Sequence, residues 1–526
     1  MQVVRINSKY FFIGLLLVGI QCSTIKRNVA LQKKPNIIYI LADDLGYGEL
    51  GVYGQEKIET PHLDDLAKKG KIFTQHYTGA PVCAPARYML LTGKHSGHAY
   101  IRGNDEWAER GEVWNFSKVV EDSTLEGQRP LPENTLMFPA LLKKNGYATA
   151  MIGKWGLGAP HTNSIPTKMG FDYFFGYNCQ RQAHTYYPVH LYENEKKYVL
   201  KNELLAPSTK LNKDDDPNDP ASYKKYTSKE YAPDVMYQKM IEFLDKPDSN
   251  KPFFLYWATP IPHNPIQAPD RWVNYYEKKF GKEQPYLGQK SYFPHPSPRA
   301  GYAAQISYMD EQIGNLVAYL KLNGLYENTV IFFSSDNGAT FSGGTDGQYF
   351  NSNGMHDEVY GKGKGFVYEG GIKVPFIAHW PDKIKAGTKS NLISAHYDMF
   401  ATICEIAGIS DQVKTDGISL YNTLTHNSSQ KKHNFLIWVY PEYGGQVALR
   451  MDKWKLIRQH LKDDKNTATL ELYNIETDPN EQKNVASKHQ DILDKMADIF
   501  QKEHKNAELE RFRIPMIEQH LLDSKK

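Results

Sequence analysis

Residues 36–44 read Asn-Ile-Ile-Tyr-Ile-Leu-Ala-Asp-Asp. The first seven form an unbroken, partly β-branched apolar run. That pattern predicts a strand buried on both faces of a parallel sheet rather than one with a wet side. The two aspartates then fall at the carboxyl end of the strand. Thr60-Pro61 opens a helix with Leu63, Leu66 and Ala67 on one face and Gly70 at its close. Further strand candidates lie at Ala148–Ile152, Phe253–Ala258, Val330–Ser334 and Val374–His379, with helical patterns at Leu136–Asn145 and Ala303–Asn323 between them. This alternation predicts an α/β fold, a large mostly parallel sheet sandwiched by helices. Such sheets bind ligands at the carboxyl ends of their strands. Asp43-Asp44, Lys154, His263 and Asp336-Asn337 each follow a strand candidate, so four separate segments point to one crevice.

The chain of 526 residues is long enough for one large domain and a smaller partner. Residues 33–425 read as the α/β catalytic domain. The polar stretch Leu424–Asn434 reads as a linker. Short strands at Phe435–Val439, Gln446–Arg450, Trp454–Arg458 and Leu470–Asn474, then helical Gln490–His504, predict a small α+β domain over 433–526. With 63 basic against 60 acidic side chains, the net charge of +3 excludes the basic excess of a nucleic-acid binder. An anionic substrate must therefore be met by locally placed cations.

Arg5 and Lys9 precede the apolar run Tyr10–Ile20, which is short for a bilayer span and reads as an export signal over residues 1–22. No later stretch reaches the length of a transmembrane helix. Cys22 is placed to carry a lipid anchor, although Gln21 fits poorly where a small residue is usual. The expected location is outside the cytoplasm: periplasmic, a cell-surface lipoprotein, or secreted. Of the four cysteines, Cys22, Cys83, Cys179 and Cys404, three remain if Cys22 is lost or lipidated, so no disulfide framework is expected. Asn115 and Asn427 begin glycosylation sequons.

Cys83-Ala-Pro-Ala-Arg87, followed by Leu91-Thr-Gly93, resembles the signature of the formylglycine-dependent sulfatases, of the alkaline phosphatase superfamily. Asn36–Asp44, Gly153-Lys-Trp155, Ser335-Asp-Asn-Gly338, Glu369-Gly-Gly-Ile-Lys-Val-Pro375, Leu472-Tyr-Asn474 and Asp478-Pro479 extend the likeness over most of residues 35–487. The resemblance implies an alkaline-phosphatase-like fold and hydrolysis of sulfate esters. It further implies that a maturation enzyme converts Cys83 to formylglycine (3-oxoalanine), whose hydrate attacks sulfur with one hydroxyl and expels sulfate through the other. It implies one Ca²⁺ or Mg²⁺ held by Asp43, Asp44, residue 83, Asp336 and Asn337; the oxygen donors suit a hard cation better than zinc. Arg87 would orient residue 83, Lys154 and Lys364 would contact sulfate oxygens, and His263 would protonate the leaving oxygen. Pro85 is expected to begin a helix, setting position 83 at its positive end.

One position departs from the family pattern. Gly156 stands where a histidine usually deprotonates the hydrate, which leaves His184, His95 and His98 as candidate substitutes and Arg181 as a candidate substrate clamp. Export and the aromatic, cationic segment Tyr177–Tyr192 suit an O-sulfated extracellular glycan. The Gly-Lys-Trp-Gly variant resembles bacterial polysaccharide sulfatases and turns the expectation toward galactose or N-acetylgalactosamine units. The rival readings are a phosphodiester or phosphonate monoester hydrolase on the same fold and a catalytically silent glycan-binding surface protein.

Overall fold

The structure, a computed structural model, describes residues 33–246, 251–356, 361–409, 414–425, 429–463 and 468–518. The export signal, Cys22 and the Asn427 sequon lie outside the described residues. Sixteen strands occur among those described: β1 (Asn36–Ala42), β2 (Lys71–Phe73), β3 (His76–Tyr77), β4 (Ala148–Lys154), β5 (Tyr173–Tyr177), β6 (His190–Glu193), β7 (Lys196–Val199), β8 (Phe253–Ala258), β9 (Thr329–Ser335), β10 (Phe376–His379), β11 (Thr388–Ser390), β12 (Ser394–Ala395), β13 (Leu436–Tyr440), β14 (Gln446–Met451), β15 (Trp454–Arg458) and β16 (Glu471–Asn474). Ten of them form one sheet in the order β11-β2-β10-β9-β1-β8-β4-β5-β6-β7.

The middle five strands, β9-β1-β8-β4-β5, run parallel. On β1, Ile37, Tyr39 and Leu41 enter one core while Ile38, Ile40 and Ala42 enter the other, the two-sided burial that the apolar run predicts. The first core is closed by helices Cys83–Thr92, Phe138–Lys144 and Asp398–Ile406. The second is closed by Pro61–Lys69, Ala232–Leu244, Asp270–Phe280 and Pro298–Leu322.

Several boundaries differ from expectation for physical reasons. The helix expected from Ala303 begins at Pro298, because proline fits a first turn that needs no N–H. The helix expected from Pro85 begins at Cys83, and Pro85 still lies in the turn whose N–H groups have no intrahelical acceptor. The run Val374–His379 pairs antiparallel with both neighbours. β5, β6 and β7 escape the sequence reading because they are short and rich in tyrosine, glycine and charge.

β13 to β16 form an antiparallel sheet that holds the connection between β9 and β10. Lys455, fully buried, lies 3.0 Å from Glu369 Oε1 and 2.8 Å from Glu481 Oε1. Glu369 Oε2 accepts from Tyr77 OH at 2.7 Å, and Arg450 donates to the same phenol. Burial would raise Glu369, but Lys455, Lys373 and Arg450 hold it below the usual carboxylate range; burial, then Glu369, push Glu481 up to about 7. The Glu369–Ile372 turn thus fixed supports the Asp336-Asn337 loop, for Gly338 N–H donates to Gly371 O at 3.0 Å. Lys455→Met leaves two buried carboxylates without their shared cation. Equilibrium denaturation is expected to show a loss of about 3–5 kcal/mol; an unchanged midpoint would contradict the role given to this triad.

Candidate active site

The carboxyl ends of the parallel strands deliver the chemistry. Asp43 and Asp44 follow β1, Lys154 ends β4, His263 lies beyond β8, and Asp336 and Asn337 follow β9. Cys83 is the first residue of its helix and 2% exposed. Asp44 adopts φ +68°, an uncommon conformation for a residue with a side chain, and its N–H donates to Asp336 Oδ1 at 3.1 Å. Ser335 Oγ accepts from Leu45 N–H at 2.9 Å and Thr78 Oγ1 donates to Asp336 O at 2.6 Å, fastening both loops.

The carboxylates are buried and each meets a cation. Arg87 donates from Nε and Nη2 to Asp336 Oδ2 at 3.1 and 2.8 Å, and from Nη1 to Lys154 O at 2.6 Å. Lys154 Nζ stands 2.6 Å from Asp43 Oδ2, and Lys364 Nζ 2.7 Å from Asp44 Oδ2. Cys83 Sγ lies 3.3 Å from Asp43 Oδ1. Burial alone would raise Asp43, but Lys154, His263, Arg87 and Lys364 drive it below the usual range. Asp336 goes the other way, to about 6, through burial and the neighbouring Asp43. Burial and Asp43 hold the Cys83 thiol well above its ordinary value, so an unmodified Cys83 is a poor thiolate nucleophile here.

Asn337 Nδ2 donates to Asp44 Oδ1 at 2.8 Å, while its buried Oδ1 has no hydrogen-bond partner. An orphaned acceptor beside three carboxylates is a fitting ligand set for a hard divalent ion. Asp43, Asp44, Cys83 and His263 place one donor atom each within 4.8 Å of one another. The three cations and three carboxylates cancel, so a divalent ion would leave the crevice positive toward an anionic ester.

His263 Nδ1 donates to Asn264 O at 2.6 Å, which leaves Nε2 facing Asp44 Oδ2 at 3.7 Å. His184 stacks on His263 with ring centroids 5.2 Å apart and planes 12° apart. Tyr292, with φ +64°, packs edge-on against both rings, a wall that no sequence pattern announced. Burial, then the neighbouring cations Lys364 and Lys154, keep His263 neutral; burial and His263 do the same for His184. Arg181 turns its guanidinium to the carbonyls of Val113 and Trp114. His95 and His98 stack on each other in a separate cluster with Asp416, 3.0 Å from His98 Nδ1. An open cleft of about 910 Å³, lined by Tyr187, Tyr223, Tyr226 and His295 among others, contains none of the predicted site residues.

The sulfatase family model matches residues 35–409, and the model described as N-sulphoglucosamine sulphohydrolase, C-terminal, matches 358–506. Human N-acetylgalactosamine-6-sulfatase is 30% identical over 407 residues, covering 74% of this chain and 66% of its own length, just under two thirds. Ps i-CgsB, solved in complex with k-i-k-neocarrahexaose, is 26% identical with a TM-score of 0.70 over 94% of this chain and 97% of that one. The phosphonate monoester hydrolase of Agrobacterium radiobacter, 18% identical with a TM-score of 0.61 over 89% and 95% of the two chains, shares the fold.

Titration calorimetry with Ca²⁺ or Mg²⁺ is expected to show one bound ion and a raised unfolding midpoint, both lost in Asp336→Ala. Stoichiometric zinc in the purified protein, with no alkaline-earth binding, would contradict the oxygen-donor reading.

Proposed function

The chain belongs to the sulfatase family, and on that premise we propose that it hydrolyses sulfate esters of an extracellular glycan. The observation that carries this is the crevice itself: Cys83, three carboxylates, an orphaned amide oxygen, three cations and a directed histidine on six separate segments. Residue 83, as formylglycine, and one Ca²⁺ or Mg²⁺ held by Asp43, Asp44, Asp336 and Asn337 would supply the nucleophile and polarise the sulfate. Arg87 orients the turn through Asp336 and the Lys154 carbonyl. Lys154, buried, and Lys364, partly buried, stand 2.6 and 2.7 Å from the carboxylates they share the crevice with, so they are placed to meet sulfate oxygens as charge develops. The Asn264 carbonyl holds the Nδ1 proton of His263, so Nε2 of the neutral ring faces the crevice without one; it takes up a proton as the anionic ester binds beside it, and the imidazolium then gives that proton from Nε2 to the leaving oxygen.

Gly156 offers no base, and His95 and His98 belong to another cluster. His184 is the neutral ring left on the same wall, and we assign it the proton taken up as sulfate departs. Export and galactose or N-acetylgalactosamine as the sulfated unit remain part of the proposal. The N-acetylgalactosamine-6-sulfatases and the oligosaccharide complex of Ps i-CgsB support the sugar class.

Desulfation of a panel of monosulfated galactose, N-acetylgalactosamine and glucosamine derivatives tests the reading. Protein co-produced with a maturation enzyme is expected to carry an aldehyde or hydrate mass at position 83, and Cys83→Ala to lose turnover. Full activity from unmodified Cys83 would contradict the mechanism. His263→Ala is expected to slow cleavage by about 10²–10⁴-fold with a poorly acidic sugar alcohol and far less with an acidic phenol. An equal loss on both substrates would deny it the leaving-group role.

A further inference from the structure

The turn at Gly156 and the first turn of the helix Cys83–Thr92 are joined by two amide side chains. Gly156 has φ +72°, and a Cβ on it would stand 2.8 Å from Gln180 Cγ and 3.2 Å from Gln180 Cδ. Gln180 is buried, so its side chain fills the space that a residue larger than glycine would take. Gln180 Nε2 donates to Asn104 Oδ1 at 3.3 Å, and the same oxygen accepts Ala84 N–H at 3.3 Å.

That Ala84 donor is one of the four at a helix start with no intrahelical acceptor. An N-cap serine, threonine, aspartate or asparagine ordinarily takes it, but the N-cap here is Val82, which has no side-chain acceptor. Asn104 is therefore a cap delivered from a distant segment, and Gln180 saturates the second lone pair of its oxygen. Gln180 is itself anchored from behind: its N–H donates to Gln128 Oε1 at 3.2 Å, and Gln128 Nε2 to Glu106 Oε1 at 2.9 Å. The peptide that Asn104 grips joins residues 83 and 84, so it sets where the side chain of residue 83 points relative to Asp43.

We propose that Gln180 and Asn104 are positioning residues for residue 83, and that glycine stands at 156 because any side chain there displaces Gln180. The inference rests on residue 83 being the attacking residue. Loss of a single cap shifts the unfolding midpoint little in a chain of this size. A misplacement of about 1 Å at a reacting group costs on the order of 10²-fold in rate. The two effects should therefore separate.

Gln180→Leu, Asn104→Ala and the double variant are compared in matured protein for kcat and KM, unfolding midpoint, and hydrogen–deuterium exchange of the peptide spanning residues 83–92. Each single variant is expected to lose about 10–100-fold in kcat with KM within about twofold. The double variant is expected to be no worse than Asn104→Ala, because the two act in series. Exchange at 83–92 should rise in every variant while the midpoint hardly moves. The same rise is expected in a Cys83→Ala background, which has no turnover. A failed exchange result there counts against the cap and leaves the role of residue 83 standing. Gly156→Ala, which alters neither amide but crowds Gln180, gives an independent reading and is expected to lower kcat. Multiplicative losses in the double variant, an effect confined to KM, a kcat loss that tracks the midpoint, unchanged exchange, or wild-type kcat in Gly156→Ala would each overturn the proposal.

Discussion

Asp43, Asp44 and Asp336 crowd three carboxylates into a crevice almost closed to water, and the rest of the site is arranged around what that crowding costs. Like charges this close in a dry environment repel strongly, so each must be met by a fixed cation or take up a proton. Arg87, Lys154 and Lys364 meet them, while burial and the neighbouring Asp43 still push the Asp336 carboxyl upward. Beside them the buried Oδ1 of Asn337 is an acceptor with no hydrogen-bond partner. A divalent cation would relieve the crowding and engage that oxygen, and the crevice would then favour an anionic ester whose oxygens compete for the two lysines.

The fold makes this arrangement affordable through rigidity on both sides. Parallel strands β1, β4, β8 and β9 end together, which brings residues hundreds of positions apart within hydrogen-bond reach. The four-stranded sheet β13 to β16 then clamps Glu369 through Lys455, and the clamped turn supports Gly338 directly beside Asn337. A charge cluster on distant segments thus helps to position the loop that carries Asp336 and Asn337. Buried ion pairs are weak evidence of stability; here the triad's plainer effect is to set position.

Most of the sheet and nearly all of the charged centre were legible in the sequence, because both rest on local patterns. Apolar runs announced β1, β8 and β9, and polar residues just after them announced the crevice. The Cys83-Ala-Pro-Ala-Arg87 motif named the helix, though its start lies two residues before the proline. What was not legible is what depends on distant segments meeting. Gly156 stood out as a departure, yet only the fold shows Gln180 in its space and Asn104 beyond it. Tyr292 sits in a loop without periodicity, and nothing in the residues around it forecasts a left-handed backbone against two histidines. Conversely, His95 and His98 follow the motif closely in sequence and are carried off to Asp416 by the turn after the helix.

The account stands on the crevice being built for a sulfate ester, although the same fold also serves a phosphonate monoester hydrolase. One phenol presented to the matured protein as its sulfate and as its phosphate monoester, with kcat/KM measured for each under one set of conditions, tests that claim most directly. The account predicts that the sulfate is preferred by several orders of magnitude. A phosphate ester turned over as fast or faster would contradict it.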